Sequence, residues 1–280
     1  MSVGRARWPS WLVLGLGFGF LYLPVLLLVV WSFNSSRLAT VWAGFSVKWY
    51  GELLRDRQMM DAAWVSLRIA FWTANASVVL GTLAALVMTR MRRFHGKTLF
   101  GGLITAPLVM PDVIIGLSML LMFVSLGDML HFQPKGMLSI WIAHTTFSLA
   151  FVSVVVSSRM AELDKSLEEA AMDLGANRIK VFFLITLPII APALVSGWLL
   201  AFTLSLDDVV IASFVSGPGS TTLPMKVFSS VRLGLSPKIN ALATLMIVAV
   251  SLCAFLGWWL MSRNERRRRA DMQLALHDQA

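Results

Sequence analysis

Apolar runs of membrane-crossing length follow one another along the chain, separated by shorter polar segments. They cover about Trp11–Trp31, Trp64–Met88, Leu99–Val124, Leu138–Val156, Pro192–Phe214 and Ala241–Met261. A helix needs about 20 predominantly apolar residues to cross the hydrocarbon core of a bilayer. The pattern therefore predicts an all-α polytopic membrane protein with six transmembrane helices. Residues 11–262 form the membrane domain, residues 1–10 a short N-terminal segment and residues 263–280 a basic tail. The first run follows Arg5 and Arg7 and imitates a signal peptide. It exceeds the usual h-region of about 7–15 residues and lacks a convincing cleavage site, so it is read as a retained span. The polar stretch 46–62, "SVKWYGELLRDRQMMDA", is mildly amphipathic and reads either as an interfacial helix or as an ordered loop.

Composition strengthens this picture. Only 14% of residues are charged, against about 25% in soluble domains, and mean hydropathy is +0.74. A conventional soluble core is excluded, and with it most readings that need a large soluble active site. Net charge is +9, with a pI near 10.4. In a membrane protein the distribution of that charge sets orientation. Fifteen of the 24 Lys and Arg fall on the N-terminus, the tail and the segments around Arg90–Lys97 and Arg159–Lys180. Eight fall on the other, longer connections, and Arg68 lies at a span edge. The asymmetry predicts both termini in the cytoplasm, and residues 157–191 with them. The run "RRRR" at 266–269 is read as an anchor to anionic membrane lipid, and nucleic acid is not expected as a partner. Cys253 is the sole cysteine, so neither a disulfide framework nor a cysteine metal site exists.

One polar segment stands out: "EEAAMDLGANRIKVFFLITLP", residues 168–188. Ser166 and Glu169 have capping-box spacing, which predicts a helix from near Leu167 with Glu168 and Glu169 in its first turn. Gly175 can take the left-handed conformation that ends a helix. A second helix is expected from near Asn177 until Pro188 breaks it. Ala170 and Ala171 allow close approach of another surface, and Glu169 and Asp173 share a face that can meet basic groups on a partner. A bland alternative makes Glu169 a cap and the alanines mere helix formers.

Glu169-Ala170-Ala171, Gly175, Ile185, Leu187 and Pro188 fit the pattern EAA-x3-G-x9-I-x-LP without departure. This resembles the signature loop of the permease subunits of bacterial ABC importers. "SFNSS" (32–36), "APLVMPDVIIGLS" (106–118), "GWLLAFTLSLDDVVIASFVSGPGSTTLP" (197–224) and "NALAT" (240–244) resemble polyamine permeases, most of all the second permease subunit of putrescine importers. The resemblance implies a type I (MetI-like) permease fold. It makes Glu168, Glu169, Ala170, Ala171, Asp173, Gly175, Ile185, Leu187 and Pro188 a coupling loop that docks on an ATPase. It also implies four partners: a second permease subunit, a cytoplasmic ATPase dimer, a periplasmic polyamine-binding protein and membrane lipid. The chain carries no nucleotide-binding loop. "HGKT" at 95–98 would need a glycine where Met91 stands. It is thus expected to be a non-catalytic subunit without a cofactor, ATP being bound by the partner.

Asp112, Asp207 and Asp208 fall inside predicted spans, where a charge costs about 2.5–3.5 kcal/mol. Counted along straight helices at 1.5 Å per residue, Asp112 and Asp207 lie roughly 20 and 22 Å from the cytoplasmic ends. Carboxylates at such a depth can replace the water lost by the ammonium groups of a diamine, while aromatic rings cover its methylenes. Asp207 and Asp208 diverge by about 100° on a helix, so one of the two is expected to face the pathway. The alternatives are pairing with a neighbouring subunit, or capping of a helix broken near Pro111. His144 reads as a helix-packing hydrogen-bonder. Competing functions are a permease for spermidine or another small cation, a proton-coupled secondary transporter and a membrane-embedded hydrolase. The last two give no reason for the signature loop.

Overall fold

The computed structural model describes residues 8–38, 41–91, 94–130, 133–233, 237–252, 255 and 259. Predictions for Arg92, Arg93, Cys253, the end of the last span and the basic tail lie outside the described residues. The described chain is helical, with one isolated antiparallel bridge between Asn34 and Phe45. Lipid offers backbone groups no hydrogen bonds, and a helix satisfies them within one segment. Residues 1–57 with 230–280 form one compact unit, and residues 58–229 another.

In the first unit, α1 (Trp8–Ser32) leaves every residue from 11 to 27 exposed, an apolar surface suited to lipid. The segment after it folds around Asn34, which is 1% exposed. Its Nδ2 donates to the Val41 carbonyl at 2.7 Å, and its Oδ1 accepts from the amides of Ser36 and Ala43. Its own carbonyl accepts from Trp49 Nε1 at 2.6 Å. Trp49 is thereby buried in α2 (Lys48–Arg55), and with α3 (Arg57–Arg90) following, the polar stretch 46–62 is helical apart from residues 46, 47 and 56, its first aromatic turned inward. A further helix, Pro237–Leu252, has Lys238 in its first turn near Glu52 and Asp56.

The second unit is built on α6 (Met137–Glu162), which packs against α3 (Arg57–Arg90), α9 (Leu187–Asp207) and the short α10 (Val210–Val215). Two apolar clusters fill it, one around Ile69, Phe123, Ile140 and Ile211, the other around Ala85, Val152, Met160 and Ile190. Small residues let the helices approach closely, as packing in lipid requires. A Cβ on Gly81 of α3 would stand 2.9 Å from Val152 Cβ, and one on Gly197 of α9 would stand 3.3 Å from Val152 Cγ1.

Two predicted spans are not straight helices. The third consists of α4 (Lys97–Thr105) with a 3-10 turn (Ala106–Leu108), then α5 (Asp112–Leu130), bent by 112°. Pro107 and Pro111 cannot donate to a continuing helix, which accounts for the break. Asp112 opens α5, so its depth cannot be counted along a straight helix from Leu99. The fifth predicted span ends at Asp207, and α10 is a separate piece. Its other end reaches further back than predicted. The helix runs from Arg178 to Asp207, because Pro188 does not break it. A π turn (Phe182–Thr186) closes with Leu187 N donating to the Phe182 carbonyl, and Pro188 follows at the start of α9. The wide π register absorbs the proline's missing N–H.

Candidate functional site

The signature loop folds as α7 (Lys165–Asp173), a turn, and α8 (Arg178–Val181) running into the π turn. The cap of α7 is Asp164, not Ser166. Asp164 Oδ1 accepts from the Ser166 amide at 2.9 Å, and the helix begins two residues earlier than a Ser166 capping box would place it. That hydrogen bond holds the Asp164 carboxyl below its ordinary value. Asp is favoured at this position because its side chain reaches the N2 amide. At the other end Gly175 has φ +87°. Its amide donates to the Met172 carbonyl at 2.9 Å, and Ala176 N donates to the Ala171 carbonyl at 3.0 Å. These two bonds make a Schellman motif, so the glycine's place in the sequence pattern has a backbone reason. Asn177 then caps α8, its Oδ1 accepting from Lys180 N at 2.8 Å.

The two adjacent glutamates face different surroundings. Glu169 is exposed with Ala170, Asp173 and Gly175, while Ala171 is half-buried. Glu168 turns inward, 15% exposed. Its Oε1 accepts from Arg90 Nη2 at 2.8 Å, Arg90 Nε at 3.2 Å and Thr186 Oγ1 at 2.7 Å. Arg90 also donates to the Met160 carbonyl at 3.3 Å. Sequence reasoning missed Arg90 and Thr186 as partners: Arg90 was one basic residue among several, and Thr186 is a variable position of the pattern. Ile185 is half-buried on the π turn, and half-buried Leu187 and exposed Pro188 open α9.

A second polar cluster surrounds the break after α9. Asp208 has extended backbone and accepts from Ile211 N at 3.2 Å and Ala212 N at 2.7 Å, capping α10. The same carboxylate meets His144 Nε2 at 3.1 Å, and His144 Nδ1 meets Ser205 Oγ at 2.8 Å. His144 is 2% exposed. It joins α6 to both sides of the break, in keeping with the packing role its sequence suggested. Asp207 is exposed, and so is Asp112. The helix ends between Asp207 and Asp208, so the 100° argument gives way to a division of labour: Asp208 caps, and Asp207 is left open. A Cβ on Gly116 of α5 would lie 3.3 Å from Ile211 Cα of α10. Asp112 stands four residues before Gly116 on α5, and Asp208 three residues before Ile211 on α10.

A family model described as the inner membrane component of binding-protein-dependent transport systems matches residues 77–270. The chain belongs to this family. It is therefore a multi-pass inner-membrane permease subunit of the ABC-importer type, and a transport component rather than an enzyme. The chain is similar to the putrescine transport system permease protein PotI of Escherichia coli K12, with 61% identity over 98% of each chain. It is also similar to the spermidine/putrescine transport system permease protein PotC of the same strain, with 40% identity over 89% of this chain and 92% of that one. Among solved structures, a bacterial ABC transporter involved in the import of the acidic polysaccharide alginate matches with TM-score 0.71 and 16% identity, covering 91% of this chain and 98% of that one. That likeness bears on the fold, which is the type I importer permease fold.

Proposed function

We propose that this permease carries a polyamine, putrescine first, into the cell as one of two membrane subunits driven by a separate ATPase dimer and supplied by a periplasmic binding protein. Residues 157–191 and both termini face the cytoplasm, consistent with the distribution of basic residues. ATP is bound by the partner, and this chain carries no cofactor. The observation that carries the reading is the exposed face of α7. Glu169, Ala170 and Asp173 are exposed on a helix closed by Gly175, offering two carboxylates and little bulk to a docking partner. The similarity to a putrescine permease over nearly the whole chain supports the substrate class.

In this mechanism ATP binding draws the ATPase subunits together. They carry α7, and the spans rock between inward and outward access. Asp207, with Asp112 at the start of α5, lines the path and faces the ammonium groups of the dication. Asp208 and His144 hold the break in shape. The test is labelled putrescine uptake by the reconstituted importer. Uptake that persists without the ATPase subunits overturns the reading. At limiting substrate, Asp207→Asn lowers uptake roughly tenfold if one charge-assisted contact is lost. Unchanged uptake removes Asp207 from the pathway.

A further inference from the structure

We infer that Glu168 is a positioning residue for energy coupling: its carboxylate clamps the docking helix to the ends of the transmembrane helices, so that a displacement of α7 reaches them together. This rests on the reading of α7 as the ATPase-docking element. No residue of α7 is buried, so no apolar core ties it to the spans. Between α7 and the helix ends lies a cavity of about 460 Å³, lined among others by Leu86, Arg90, Glu168, Glu169, Phe182 and Thr186, so packed side chains do not fill the space between them. Across that space run the bonds of Glu168 Oε1 to Arg90 Nε and Nη2 and to Thr186 Oγ1. Arg90 is the last residue of the 34-residue α3, and it also holds the terminal turn of α6 through the Met160 carbonyl. Thr186 closes the π turn that leads into α9. One carboxylate oxygen thus joins α7 directly to α3 and α9, and through Arg90 to α6. Glu169, next to it in sequence, is exposed and has no hydrogen bond or ion pair among the described residues. The two glutamates divide the work, Glu169 on the docking side and Glu168 on the transmission side.

The experiment uses the complete importer in liposomes and reads three quantities: ATPase subunit retained on purification, basal ATP hydrolysis, and putrescine taken up per ATP hydrolysed. Arg90→Glu, which lies outside the docking loop, is expected to leave the first two within about twofold, and both Arg90→Glu and Glu168→Ala are expected to lower the third roughly tenfold, because a charge-assisted pair is lost. The charge swap Arg90→Glu/Glu168→Arg is expected to restore most of the coupling. Thr186→Val, which removes one neutral donor, is expected to have a smaller effect. Uptake per ATP within about twofold of the parent in Glu168→Ala overturns the inference, since such a pair is worth more than that. Loss of the ATPase subunit in Glu168→Ala also overturns it, by making Glu168 a docking contact. If the single variants do not accumulate, the charge swap decides: recovered accumulation with coupling supports the clamp, and anything less overturns it. Ala170→Arg tests the docking reading separately. If that bulk leaves the ATPase bound, the docking reading fails whatever Glu168 does.

Discussion

Val152 of α6 sits between two glycines, and the atoms it presents to each predict different outcomes for the same small change. It is fully buried, and as a β-branched residue in a helix it has one favoured rotamer, so it cannot swing aside. A methyl on Gly197 would meet Val152 Cγ1 at 3.3 Å, Cγ2 at 3.8 Å and Cβ at 3.9 Å. Only the first is tight, and a shift of a few tenths of an ångström relieves it. The helix gains about 1 kcal/mol when Gly becomes Ala, so Gly197→Ala is expected to be close to neutral. A methyl on Gly81 would stand 2.9 Å from both Val152 Cβ and Cγ1 and 3.1 Å from the Ser153 amide nitrogen. Overpacking costs about 1–3 kcal/mol, and the backbone contact puts this site in the upper half. Set against the gain of about 1 kcal/mol in helix propensity, Gly81→Ala is expected to destabilise by about 1–2 kcal/mol.

Trimming Val152 to Ala then separates the two sites. It removes the Cγ atoms that crowd position 197 but leaves the Cβ and the backbone nitrogen that crowd position 81. Val152→Ala therefore abolishes any cost of Gly197→Ala and leaves most of the cost of Gly81→Ala. Thermal unfolding of the purified protein reads this, at about 2–4 °C per kcal/mol for a chain of this size. If Gly81→Ala melts at or above the parent temperature, or if Val152→Ala rescues both glycine variants equally, the described approach of α3 to α6 is wrong.

Two further outcomes follow from the same reasoning. Gly175 has a left-handed φ of +87° and open space around its Cβ position, so Gly175→Ala adds backbone strain alone, about 1–2 kcal/mol. Gly175→Asn should cost less, and putrescine uptake should rank parent, Asn, Ala; equal uptake in all three would show that the turn does not need that conformation. His144→Ala should lower the melting temperature by the loss of a hydrogen bond to a charged group, about 1.5–3 kcal/mol, and Asp208→Ala should lower it further by also uncapping α10. The double variant should cost less than the sum, and strict additivity would mean the two residues do not share one network.

Membrane class, the all-helical architecture and the turn of the signature loop were legible along the chain because each depends on neighbouring residues. Lipid demands long apolar helices, and Gly175 and Asn177 act on amides within a few positions. The resemblance carried by Glu169–Pro188 led to the family for the same reason, as a contiguous pattern. Local rules misjudged the start of α7, where two candidate caps, Asp164 and Ser166, compete and Asp164 wins. They also misjudged Pro188, where a π turn absorbs a proline that would stop an ordinary helix. Asn34 shows the limit from another side: "SFNSS" was visible as a likeness, but its use in binding Val41, Ala43 and Trp49 requires the folded segment.

What the tertiary structure alone decided is the work of each acidic residue. Glu168 and Glu169 are neighbours of identical chemistry, yet one meets Arg90, 78 residues away, and the other faces outward. Asp207 and Asp208 are likewise identical in chemistry, yet α9 ends between them and His144, 64 residues before Asp208, hydrogen-bonds only the second. A carboxylate's role is set by which donors reach it in space, and those donors arrive on helices whose approach depends on Gly81, Gly116 and Gly197. Apolar periodicity carries the helices themselves, but their bends and mutual approach are collective properties of packing.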